Sequence, residues 1–139
     1  MEAQCFCGAV SFTTPLPQPL ALYICHCDSC QKQMGAFGMS AIFPQFKLPE
    51  SEALSCYIRP TASGQQLHCY FCRNCGTRVM HSTADTKVVS IKGGCVRGID
   101  WKKAVHLYTK NAMVPIPEGS ETYSESSSTG YASECNILD

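Results

Sequence analysis

"CRNCG", Cys72–Gly76, sets two cysteines two residues apart with a glycine immediately after them. That spacing folds the backbone into a knuckle around a metal ion, and the glycine lets the chain leave the turn where a side chain would obstruct it. A knuckle supplies two ligands and a structural zinc takes four, so a second pair is required elsewhere. "CFCG", Cys5–Gly8, is the available pair. Joining Cys5 and Cys7 to Cys72 and Cys75 ties the start of the chain to its middle and closes a site of four thiolates.

A third cluster, "CHCDSC", Cys25–Cys30, carries three cysteines with a histidine and an aspartate among them. Three protein ligands with the fourth position open is the arrangement of a catalytic zinc, where water or substrate completes the tetrahedron. Spacing alone also admits a second structural zinc, completed by His26 or by a distant Cys or His. His26, between two ligands, is expected to point away from the metal or to support it through hydrogen bonds. His68 and His106 lie in strand-like runs and read as ordinary sheet residues. Cys69 alternates within "LHCYFC" and reads as a core thiol, as do Cys56 and Cys95, while Cys135 stands alone in the tail.

Metal rather than disulfide follows from the rest of the chain. A length of 139 residues with 45% hydrophobic content suits one compact domain with a modest core, and 11 cysteines is the density at which a short chain uses staples. The opening "MEAQCFCGAV" has neither a basic stretch nor an apolar run of signal-peptide length, and no segment is apolar enough to span a bilayer. An intracellular, cytoplasmic setting is therefore expected. Reducing compartments disfavour structural disulfides, and an odd number of cysteines cannot all pair within one chain. Formal charge is zero overall but uneven: all 11 Lys and Arg precede Pro117 alongside six acids, a surplus of +5, and the five acids from Glu118 onward give −5. Seven thiolates on two zinc ions would bring the basic part down to about +2, too little and too dispersed for a nucleic-acid surface.

The secondary-structure pattern is that of a small all-β domain. "AVSFTT", "FGMSAIF", "LSCYIR", "QQLHCYFC", "TRVMHS", "KVVSIKGG" and "AVHLYTK" are short runs rich in Val, Ile, Phe, Tyr and Thr, separated by Pro, Gly, Asn, Asp and Ser. "DSCQKQMGA" has room for a turn or two of helix. Residues 120–139 form an acidic, Ser-rich tail, expected to be irregular, although Tyr123, Tyr131, Ile137 and Leu138 give it something to bury against residues 1–119.

"CFCGAV", "CHCDSCQKQMGA" and "FCRNCGT", in that order, together resemble the glutathione-dependent formaldehyde-activating enzyme family, also called the CENP-V/GFA domain. The later "VHLYTKN" and "PIPEG" resemble that family's closing strand and the turn after it, so the likeness covers roughly residues 4–119. The resemblance implies a β-tent fold with short helical turns and two zinc ions per chain. Cys5, Cys7, Cys72 and Cys75 would hold a structural zinc, and Cys25, Cys27 and Cys30 a catalytic one. It also implies a carbon–sulfur lyase that joins or cleaves a glutathione-like thiol and a small carbonyl, as in S-hydroxymethylglutathione. Lys32 matches the family's basic position after the triple and would attract an anionic substrate group, and Gly35 and Phe37 match a segment of the pocket wall. The same cysteines would serve a member acting on another small carbonyl or thioether, and the same fold occurs in non-catalytic zinc-stabilised interaction modules.

Overall fold

The computed structural model describes residues 1–61, 64–127 and 131; Cys135, Ile137 and Leu138 lie outside the described residues. Among the described residues, nine strands and the short helix Asp28–Met34 make it the β-rich domain expected from the sequence. Strands β1 (Glu2–Gln4) and β2 (Ser11–Thr13) form a small antiparallel hairpin. The remaining strands are β3 (Ala21–Cys25), β4 (Gly38–Pro44), β5 (Leu54–Pro60), β6 (Gln66–Cys72), β7 (Arg78–Ser82), β8 (Val88–Lys92) and β9 (Val105–Leu107). They build one sheet in the order β5-β6-β7-β8-β4-β3-β9. Helix α1 (Asp28–Met34) joins β3 to β4. Two strands escape the sequence reading: β1, which is three residues long, and β3, whose "ALYIC" is an apolar run without alternation.

Why β3 lacks alternation is clear from its place. It lies inside the sheet, between β4 and β9, and a strand covered on both faces need not alternate. Its pairing with β9 is parallel, Tyr23 beside Val105 and Cys25 beside Leu107, and the His26 amide continues it by donating to the Leu107 carbonyl at 3.0 Å. The end of β3, where the cysteine triple begins, is thus anchored to a strand some 80 residues later in the chain.

The sheet has a core on each face. On one, Ala3, Val10 and Phe12 of the hairpin pack against Ala41, Phe43, Val89 and Ile91. On the other, Tyr23, Ile42, Leu67, Cys69, Val88 and Leu107 form a second cluster, against which Tyr123 and Tyr131 pack. The first part of the tail is therefore fixed to the sheet. The His106 amide donates to the Glu121 carbonyl and the Tyr123 amide to the His106 carbonyl, both at 2.9 Å, which covers the β9 edge that would otherwise stand open. An exposed ion pair, Lys110–Glu125 at 2.6 Å, lies beside this junction. No helix among the described residues is long and apolar enough to cross a membrane.

Close approach fixes one residue absolutely. A Cβ on Gly93 would stand 2.6 Å from the Trp101 ring and 2.7 Å from the Met39 Cβ. The turn after β8 thus packs onto the hairpin-side core only as glycine. Gly93→Ala is expected to cost about 1–3 kcal/mol, as overpacking of a filled core does. A urea titration checks this: an unchanged midpoint would mean that the Trp101 packing tolerates a methyl group.

Candidate metal centres

The first centre is assembled from two knuckles that the fold brings together. Cys5 and Cys7 lie in the β1–β2 loop, Cys72 ends β6, and Cys75 lies in the turn from β6 to β7. In each knuckle a glycine follows the last cysteine at positive φ, Gly8 at 80° and Gly76 at 77°. The Gly76 amide donates to the Cys72 carbonyl at 2.7 Å, closing the turn. Thr77 joins the two loops: its hydroxyl accepts from the Phe6 amide at 3.1 Å and lies 3.1 Å from the Cys75 sulfur. Hydrogen bonds from Thr77, side chain first and then backbone, bring the Cys75 thiol down to about 5.

The sulfur spacing suits a metal. Four sulfurs arranged tetrahedrally at ~2.3 Å from one ion stand ~3.8 Å from each other. Here Cys5 and Cys7 are 3.7 Å apart, Cys7 and Cys72 are 3.8 Å apart, and all four sulfurs lie within 4.8 Å of one another. A disulfide requires ~2.05 Å, and all four are free thiols.

The second centre is local in sequence. Cys25 ends β3, Cys27 caps α1 by accepting from the Cys30 amide at 3.4 Å, and Cys30 sits in the first helical turn. Their sulfurs lie within 4.8 Å of one another, and all three residues are buried. Gly38, paired with Cys25 across β3 and β4, makes room for them, since a Cβ there would lie 2.9 Å from the Cys30 sulfur. Hydrogen bonds from Cys25 and then Cys30 hold the Cys27 thiol near 2, and the same contact with Cys27 drives Cys25 far up. Three thiols this close ionise together only when a cation shares their charge.

These are the two groups of three or more metal-binding side chains among the described residues, and the triple has no fourth His, Cys, Asp or Glu within its cluster. His26 is turned elsewhere. Its Nε2 lies 3.0 Å from His106 Nδ1, the two rings stack with centroids 5.3 Å apart, and the Phe37 ring lies tilted against His26 with centroids 5.6 Å apart. Burial holds both imidazoles below the ordinary histidine value. One N–H therefore bridges two neutral rings and fixes the loop that carries the triple. Gln31 adds a second tie, donating to the His26 carbonyl at 3.0 Å and the Asn111 carbonyl at 2.6 Å. Tyr108 packs against the three cysteines and holds a left-handed backbone, φ 55°, unusual for a bulky residue.

Lys32, expected beside the triple, lies exposed on α1. It is two positions from Cys30, and on a helix that places it roughly on the opposite side. The lysine that the fold does bring inside is Lys92, buried at the end of β8. With Met34, Phe37, Met39, Arg78 and Arg97 it lines a groove of about 1390 Å³ between the hairpin and the α1–β4 turn. Its one sequence signal is a lysine in step with Val88 and Ser90 in a run otherwise fit for burial on both faces.

The two centres predict opposite responses to mutation. Cys72→Ser or Cys75→Ser should give unfolded or insoluble protein, because closing a structural zinc site is worth ~10–16 kcal/mol against a whole-domain stability of ~5–15 kcal/mol. Cys27→Ser and Cys30→Ser should keep the wild-type circular dichroism and lose one of two bound metal ions. Equal unfolding by both sets would make the triple a structural site as well.

Comparison with known proteins adds three findings. A crystal structure of a Rhodobacter sphaeroides protein has a similar fold, with a TM-score of 0.55 and 23% identity, over 72% of this chain and 91% of that one. No curated protein matches the sequence. The family model described as glutathione-dependent formaldehyde-activating enzyme matches residues 1–111, which include both cysteine groups, and the chain belongs to that family.

Proposed function

We propose that the chain is a zinc-dependent carbon–sulfur lyase that forms or cleaves an adduct between a thiol of the glutathione type and a small carbonyl such as formaldehyde. The observation that carries this reading is the buried triple of Cys25, Cys27 and Cys30, with no fourth protein ligand in its cluster among the described residues. The four-cysteine centre then acts as the structural zinc site. In a reducing compartment such as the cytoplasm all seven thiols stay available for metal.

A zinc ion held by the triple would supply a soft cationic centre that keeps a substrate thiol ionised near neutral pH. The chain's own residues do the rest. The Cys27 cap, the His26–His106 pair and the two Gln31 hydrogen bonds hold the three sulfurs in place. Phe37, whose ring lies against His26, and Met34, at the end of α1, set apolar side chains between the triple and the groove beside the hairpin. In the forming direction the thiol gives up its proton, the sulfur lone pair makes a bond to the carbonyl carbon, and the C=O π pair moves to oxygen. Oxygen then takes up a proton, giving the hydroxymethyl thioether; cleavage is the reverse. Lys32, outside on α1, draws an anionic thiol toward the opening.

A non-catalytic interaction module needs the four-cysteine centre but has no use for three more converging thiols. Exchange spectroscopy with 13C-formaldehyde and glutathione separates the readings. Zinc-loaded protein should accelerate adduct exchange, and Cys30→Ser, with its four-cysteine zinc retained, should lose that acceleration by at least about 100-fold. No acceleration by the fully loaded wild type, with formaldehyde or with a panel of other small aldehydes, would exclude the lyase reading.

A further inference from the structure

Lys92 is 5% exposed, and its ammonium donates to two neutral hydroxyls, Ser90 Oγ at 3.2 Å and Ser40 Oγ at 3.3 Å. No carboxylate faces it: among the described residues the one ion pair between side chains is Lys110–Glu125, at the surface. A buried ammonium without an anion is strongly disfavoured and gives up its proton unless negative charge of another kind stands near it.

The sheet register shows where that charge is. Lys92 pairs with Ser40 across β8 and β4, and Ser40 pairs with Tyr23 across β4 and β3. Two residues along, on the same face, Gly38 pairs with Cys25. Gly38 has no side chain, and a Cβ there would meet the Cys30 sulfur at 2.9 Å, with Met34 Cγ at 3.8 Å. Burial presses the Lys92 ammonium below the ordinary lysine value, with Arg78 adding a little; the groups that oppose this are cysteine sulfurs, Cys30 first, then Cys25 of the triple and Cys69 of the core.

We infer that Lys92 is the fixed counter-charge of the Cys25–Cys27–Cys30 centre, a positioning residue that stabilises the three thiolates around a bound divalent metal and offsets the charge of an incoming fourth thiolate. A dication on three thiolates keeps one net negative charge, and a fourth thiolate makes it two. A single buried cation on the same sheet face reduces that surplus without occupying a coordination position. This role differs from that of Lys32, which acts from solvent, and it rests on the reading of the triple as a metal centre.

The test measures metal affinity site by site. Zinc-loaded wild type and Lys92→Met are titrated with a chelator, and cobalt-substituted samples report the triple through their sulfur-to-cobalt charge-transfer bands. Lys92→Met should weaken metal binding at the triple at least about tenfold, leave the four-cysteine ion and the circular dichroism unchanged, and regain most of the loss in Lys92→Arg. Binding at the triple within twofold of wild type in folded Lys92→Met would overturn the inference. If Lys92→Met does not fold, Ser90→Ala, which removes one of the hydroxyls that orient the ammonium, should still weaken the triple about threefold; unchanged affinity would again overturn it. A wild type that binds metal only at the four-cysteine centre would sink both this inference and the metal-centre reading. Metal binding at the triple that depends on Lys92, in a fully loaded wild type that does not accelerate aldehyde–thiol exchange, would sink the lyase reading alone.

Discussion

Sulfur atoms 3.7 and 3.8 Å apart with no bond between them are the constraint on which this structure turns. As thiolates they repel, as a disulfide they are too far apart, and the spacing matches that of ligands around one tetrahedral cation. The four-cysteine cluster joins the β1–β2 loop to the β6–β7 connection, so a metal ion held there would tie the hairpin onto the large sheet. The hairpin is small and contributes only a few residues to the core it covers. A metal staple at that junction has the strength that this short hairpin lacks.

The second cluster is held differently. Its three cysteines come from one strand end and one helix turn, so it closes no long loop. What fixes it is a set of hydrogen bonds from distant parts of the chain: His106 to His26, Asn111 to Gln31, and the β9 register to β3. These leave the sulfurs converging on a point without a fourth protein ligand among the described residues. A scaffold that fixes three ligands rigidly and supplies no fourth is suited to exchange rather than to closure.

How much of this the sequence reveals depends on distance along the chain. Spacing within "CRNCG", "CFCG" and "CHCDSC" is local, and it groups the seven cysteines as the fold groups them. Most of the strands follow from β-branched and aromatic runs, but "ALYIC" does not declare itself, because five apolar residues buried on both sides carry no period. The His26–His106 pair joins residues 80 apart, and nothing in either local run announces the other. His106 reads from the sequence as an ordinary sheet residue, and only the parallel β3–β9 register gives it a partner. The basic residue after the triple is easily read as Lys32; that the fold carries Lys92 inside, on a strand two places away in the sheet, is a fact of topology. The tail's composition suggests irregular chain, yet Glu121 and Tyr123 complete the β9 edge through their backbones, which composition does not encode.

If one chain carries two thiolate centres, one closed by four protein sulfurs and one left with three and a position for substrate, its two zinc ions differ in sulfur count. X-ray absorption at the zinc edge of the fully loaded protein, with and without saturating glutathione, tests it directly. The expected average sulfur coordination is midway between three and four per zinc in the free protein, rising to four with glutathione. A value of four before glutathione is added, or no rise at saturation, would contradict it.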